Sequence, residues 1–151
     1  MFPTLNLPPA PLRIRENEEK KEVWCTLRRR YVALTPEEWV RQHFVHFLTL
    51  YRGYPAALMG NEVSIRLGNA VRRCDTILYN KEGGTPRVVM EYKAPDVPIT
   101  QAVFTQISSY NSVLRTDYLF VSNGRQTIVC HIDQAAGTYR FLPDVPRYEE
   151  L

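Results

Sequence analysis

Apolar and polar positions along the chain follow two rhythms, and the changes between them mark the elements. From Thr35 onward, Val40, Phe44, Phe47, Leu48 and Tyr51 recur at helical spacing. Thr35-Pro36-Glu37-Glu38 supplies the helix start. Thr35 can cap, Pro36 suits the first helical position, and Glu38 completes a capping box. Gly53 stops the helix. Strand-like stretches follow at 62–67, at Cys74-Asp75-Thr76-Ile77-Leu78-Tyr79, and at Val88-Val89-Met90-Glu91-Tyr92-Lys93. Gly68-Asn69 and the segment 80–86 supply the turns between them. Pro95 and Pro98 end the third strand, and Thr100 caps a second helix running to about Leu114. Val103, Ile107, Tyr110 and Leu114 form its apolar stripe. Residues 118–122 and 127–132 read as two more strands across an Asn123-Gly124 turn.

The ends differ in texture. Pro3, Pro8, Pro9 and Pro11 make the first dozen residues an extended arm. Residues 12–15 and 22–26 then pair as a small hairpin across the polar turn 16–21. The tail holds Pro143, Pro146, Glu149 and Glu150 and reads as irregular. The chain divides into an arm and hairpin (1–30), a main domain (31–142) and a tail (143–151). The order helix, three strands, helix, two strands is an α/β layout, with a central mixed sheet flanked by helices.

Composition narrows the classes. The chain has 151 residues, 44% hydrophobic and 23% charged, the make-up of one globular domain. No apolar run approaches the ~20 residues that span a bilayer, so no membrane partner is expected. The N-terminus lacks a basic start followed by an apolar stretch, and a cytoplasmic protein is expected. Cys25, Cys74 and Cys130 are odd in number and far apart, which fits reduced thiols better than a disulfide framework. A net charge of +3 is too small to define a nucleic-acid partner. The clusters Arg28-Arg29-Arg30 and Arg72-Arg73 are the DNA-contact candidates, with solvated surface as the plainer reading. No Walker A pattern or helicase-like segment is present. His43, His46, His131 and Cys130 match no structural zinc spacing. Ser108-Ser109 has neither a nucleophile elbow nor a base.

Asp75, Glu91 and Lys93 carry the chemistry. Residues two apart in a strand point to one face, so Glu91 and Lys93 share a face while Tyr92 points away. Two carboxylates and an ammonium at the ends of neighbouring strands can hold a divalent metal and a water. Mg²⁺ takes one or two carboxylates with waters and phosphate oxygens. Asp75, Glu91 and the Tyr92 backbone carbonyl are its candidate ligands, with Mn²⁺ as a substitute. Lys93 would orient the water or stabilise negative charge. A cross-strand ion pair on a solvated sheet face is the plain alternative. Gln106 and Tyr110, four apart, share a face of the second helix, which would pack beside the carboxylates.

The order Asp75, Glu91-x-Lys93, Gln106-x-x-x-Tyr110 resembles the PD-(D/E)xK nuclease superfamily. More closely, it resembles the N-terminal nuclease domain of type I restriction enzyme R subunits, in its small stand-alone bacterial members. Thr35-Pro36-Glu37-Glu38-Trp39-Val40-Arg41-Gln42, Glu91-Tyr92-Lys93-Ala94-Pro95, Gln106-Ile107-Ser108-Ser109-Tyr110-Asn111 and Ser122-Asn123-Gly124 carry the likeness, over about 30–133. It implies a restriction-endonuclease-like three-layer core (helix-strand-strand-strand-helix-strand) and a Mg²⁺-dependent DNA endonuclease. Asp75 would be the metal aspartate, Glu91 the second carboxylate and Lys93 the catalytic lysine. Gln106 and Tyr110 would match the extra motif of the exonuclease-like branch. Glu38 or Glu62 would match an acidic residue of the family, although capping explains Glu38 equally well. The family's defining proline is replaced by Cys74, and no translocase is present. DNA is the implied partner, with partner subunits or a homodimer compatible. A non-catalytic DNA-binding or protein-docking module on the same fold is the alternative.

Overall fold

A computed structural model describes residues 2–151, except for the side chains of 67, 70, 107 and 109–114. Its elements are β1 (Ile14–Asn17), β2 (Lys20–Cys25), β3 (Arg30–Ala33), α1 (Pro36–Tyr51), β4 (Met59–Leu67), β5 (Ala70–Tyr79), β6 (Pro86–Tyr92), α2 (Gln101–Leu114), β7 (Tyr118–Ser122), β8 (Thr127–Asp133) and β9 (Thr138–Leu142). Strands β4 to β9 form one six-stranded sheet in sequence order. Every neighbouring pair in it is antiparallel except β6 and β7, which run parallel with α2 as the crossover.

Alternation along β6 explains the layers. Val88, Met90 and Tyr92 join Val40, Phe44, Val45 and Leu48 of α1 in one core. Val89 turns the other way and packs with Phe104 of α2, Ile77, Leu119 and Val121 in a second core. The sheet is buried on both faces and lies between two helices, as a strand that is apolar at nearly every position requires. The expected α/β three-layer core with a mixed sheet is therefore what the chain forms.

Three features depart from the sequence reading. The N-terminal hairpin is a three-stranded antiparallel sheet, because Arg30–Ala33 adds a strand beside β2. The six-stranded sheet gains β9, whose residues are exposed for most of their length. Five residues ending at Pro143 give too short an alternation to mark a strand by periodicity. The main strands are also longer than expected, β4 starting at Met59 and β5 at Ala70. The arm has no regular structure from residue 2 to 13, yet it is fastened: Leu5 joins the α1-side core, and Trp39 Nε1 donates to the Pro3 carbonyl at 2.9 Å. The tail closes on the body through the Tyr54 hydroxyl, which donates to the Pro146 carbonyl at 2.9 Å. No described helix is long and apolar enough to cross a membrane.

Candidate active site

The strand register brings three carboxylates to one level. Glu62 stands across from Asp75, between the pairs Asn61–Thr76 and Val63–Cys74. Asp75 lies one position beyond the Thr76–Met90 pair, level with Glu91. The ladder opens here: Asp75 Oδ2 accepts the Tyr92 backbone N–H at 2.8 Å, and the Lys93 N–H donates to the Ser122 carbonyl at 2.9 Å. Glu62 adopts φ 56°, the left-handed region that costs a side-chain-bearing residue roughly 1–2 kcal/mol. Two arginines hold it there, Arg41 at 2.7 Å and Arg73 at 2.5 Å.

Asp75, Glu91, Tyr92 and Lys93 line one cavity of about 260 Å³ with Gln106, Arg72 and Glu37. The structure thus brings together Asp75, Glu91 and Lys93, the residues expected to carry the chemistry, and Gln106 of α2 with them. The Tyr110 side chain lies outside the described residues, as do those of Ile107 and Leu114. Glu91 is 9% exposed, and its Oε1 makes no hydrogen bond among the described residues. Arg72 Nη2 stands 3.6 Å from that oxygen. Burial first, and the neighbouring Asp75 charge second, push the Glu91 carboxyl up to about 9. Burial also opposes ionisation of Glu62, but Arg41 and Arg73 outweigh it and hold that carboxyl below its usual range.

Glu38 and Glu62 reach the site through Arg41. The Arg41 guanidinium bonds Glu38 Oε1 at 2.8 Å and Glu62 Oε1 at 2.7 Å, and approaches Asp75 Oδ1 at 3.4 Å. The expected capping box at α1 forms only in part. Thr35 accepts the Glu38 N–H at 3.1 Å, but the Glu38 carboxylate turns inward to Arg28, Arg41 and Gln42 instead of back to Thr35. A buried carboxylate gains more from two guanidinium partners than from one amide. The basic clusters separate likewise. Arg28 is ion-paired with Glu38, Arg72 with Glu91 and Arg73 with Glu62, while Arg29 and Arg30 are exposed on the N-terminal sheet.

Sequence reasoning missed Arg41, Gln42 and Glu37. A signal for Arg41 existed: Glu38, Arg41, Val45 and Leu48 lie on one helical stripe, so the apolar face of α1 ends in two charges. Charges on a core-facing stripe require partners. His43 and His46 sit half-buried on α1, and burial holds both below the usual histidine range. Among the described residues, no three His, Cys, Asp or Glu side chains gather as a metal-binding group.

An α/β sheet with acidic residues at the opened end of its middle strands defines the class: a restriction-endonuclease-like core. The family described as type I restriction enzyme R protein N terminus (HSDR_N) matches residues 36–146, and the chain belongs to it. A solved structure with the same fold is a fragment of a protein assigned as the HsdR subunit of a type I restriction enzyme from Vibrio vulnificus YJ016. It is 20% identical, with a TM-score of 0.56 over 78% of this chain. The match spans 24% of that fragment, about a quarter of its length. No curated protein matches significantly.

Proposed function

We propose that the protein is a Mg²⁺-dependent DNA endonuclease that hydrolyses phosphodiester bonds at the Asp75–Glu91–Lys93 cavity. The observation that carries this reading is Glu91 Oε1, a buried carboxylate oxygen without a hydrogen bond among the described residues, beside Asp75 and in one cavity with Lys93. An orphaned buried oxygen is costly unless a ligand satisfies it. Two carboxylates and a backbone carbonyl, that of Tyr92, suit a hard cation that keeps several waters. The donor set fits Mg²⁺, or Mn²⁺ in its place. When bound, the ion would act as a Lewis acid and lower the pKa of a coordinated water.

The chain's own residues do the rest. Asp75 is oriented by the Tyr92 N–H on one oxygen and by Arg41 on the other. Lys93, half-buried in the same cavity, would hold the attacking water or stabilise charge on the phosphate. Gln106 would contact the nucleotide from α2. Arg72, now beside Glu91, supplies a cation for a phosphate oxygen. Exposed Arg29 and Arg30 would meet the DNA backbone.

One observation favours a second reading, a DNA-binding or protein-docking module without turnover. Asp75, Glu91 and Glu62 each already have an arginine within 4.0 Å, so the acidic charge is compensated without a metal. Incubation of purified protein with supercoiled plasmid under Mg²⁺, Mn²⁺ or EDTA separates the two. The nuclease reading expects cutting with either metal, none in EDTA, and none from Asp75→Ala. DNA binding without cutting in any metal would favour the module.

A further inference from the structure

Beneath the cavity, a buried polar network joins the N-terminal sheet to Asp75 by two routes. Arg28, in the turn after β2, donates from Nη2 to both oxygens of Glu38 at 2.8 and 2.7 Å. Glu38 also accepts Arg41 Nη1 at 2.8 Å and Gln42 Nε2 at 2.8 Å. Arg41 Nη2 then reaches Glu62 at 2.7 Å and Asp75 at 3.4 Å. On the second route, Cys25 Sγ accepts the Arg28 backbone N–H and Nε–H, both at 3.3 Å, and Asn61 Nδ2 at 3.4 Å. Asn61 Oδ1 accepts the hydroxyl of Thr76, the residue after Asp75, at 2.7 Å.

Glu38, Arg41, Gln42, Asn61, Thr76 and Cys25 are all buried. Groups this far from water have few alternative partners, so displacing one member displaces those bonded to it. Asp75 is held by Arg41 on one oxygen and by the Tyr92 N–H on the other. Arg28 sits where both routes begin, with its side chain only 13% exposed. It shares a basic cluster with Arg29 and Arg30 but not their setting, and it lies outside the family-matched segment 36–146.

We propose that Arg28 and Arg41 are positioning residues for Asp75, Arg41 directly and Arg28 through Glu38 and Arg41, and that the N-terminal sheet is thereby a working part of the site. The proposal rests on the nuclease reading only where cleavage is its readout.

The Tyr92 amide reports the Asp75 carboxylate directly, since that carboxylate accepts its hydrogen bond. Amide resonances and hydrogen exchange are followed in the full chain for wild type, Arg28→Met, Arg28→Lys and Arg29→Met. In Arg28→Met the Tyr92 resonance should move and its exchange should quicken by about tenfold or more. Arg28→Lys, which keeps a cation beside Glu38, should lie between, and Arg29→Met should match wild type. An unmoved Tyr92 amide in folded Arg28→Met overturns the proposal. Should that variant fail to fold, Arg28→Lys and Glu38→Gln carry the same comparison. With DNA, Arg28→Met should lower kcat by about 10–100-fold, the usual effect of removing an outer partner, at unchanged DNA affinity. Weaker DNA affinity at unchanged kcat would make Arg28 a DNA contact and overturn the proposal. A wild type that never cuts defeats the nuclease reading alone, and the Tyr92 amide still decides the network.

Discussion

Lys93 is a half-buried cation in a cavity with two carboxylates, yet among the described residues it forms no ion pair. The nearby carboxylates are engaged by other cations: Asp75 by Arg41 and Glu91 by Arg72. Its ammonium therefore contributes little to the fold and is free for a ligand. Lys93→Ala should melt within about 2 °C of wild type, since substitutions outside any network shift stability by ~0.5 kcal/mol. Under the nuclease reading it should lose about 10²–10⁴-fold in cleavage, the range for a group that handles the reacting proton. Melting and plasmid cleavage on one preparation check both statements, and a variant that still cuts removes Lys93 from the mechanism. Arg41 is the opposite case, a side chain 4% exposed that pairs with Glu38, Glu62 and Asp75; its loss would leave Asp75 without an arginine partner among the described residues, while Glu38 keeps Arg28 and Glu62 keeps Arg73.

At the scale of elements, the Asn123-Gly124 turn between β7 and β8 does more than reverse the chain. Asn123 Oδ1 accepts the N–H groups of Arg125 and Gln126 at 2.9 and 2.7 Å. Gly124 has φ +84°, and a Cβ there would lie 2.7 Å from Leu5 Cδ2. The Gly124 carbonyl also accepts the Asn6 N–H at 2.8 Å, so the turn is where the N-terminal arm docks. Gly124→Ala should cost about 1–3 kcal/mol, from the positive φ and the overlap together. Leu5→Ala in the same chain should recover the overlap part, so the double variant should lose less than the sum of the singles. Denaturant titration of the four proteins measures this, and strict additivity would mean that arm and turn do not meet. The turn itself was legible because Asn-Gly acts locally, and α1 was legible because Thr35-Pro36 and the 40–51 stripe are local too. The arm contact was not, since it joins residues 119 apart for Asn6 and Arg125. Strand β9 escaped because the alternation of Tyr139, Arg140 and Phe141 is brief, spanning five residues before Pro143. Asp75, Glu91 and Lys93 stood out because charges interrupt apolar runs. The Arg41 partner of Asp75 did not, because that pairing crosses from helix to sheet.

At the scale of the whole molecule, the site draws on folding stability, and the sign of its pH dependence follows from Glu91. Burial and Asp75 raise this carboxyl in the folded chain from 4.5 to about 9, so the folded state binds a proton that the unfolded state releases. Stability from this group is complete below about 4.5 and is lost progressively as pH rises through about 9. In EDTA, melting temperature should carry that decline. Under the nuclease reading, a divalent ion on Asp75 and Glu91 would favour the ionised form and should cancel it. His43 and His46 titrate with the opposite sign: their lowered values make stability fall as pH falls through the usual histidine range. They contribute equally with and without metal, so the difference between the two melting curves isolates the site. At a Mg²⁺ concentration ten times its Kd, linkage gives about 1.4 kcal/mol. For a chain of this size that is a rise of about 3–6 °C. The gap between Mg²⁺ and EDTA should widen from pH 5 to pH 9, because metal competes with the Glu91 proton. Glu91→Gln should melt higher than wild type in EDTA at pH 9, match it more closely at pH 5, and lose most of the Mg²⁺ gap throughout. A gap that stays constant with pH, or that survives Glu91→Gln, would place the ion elsewhere on the molecule.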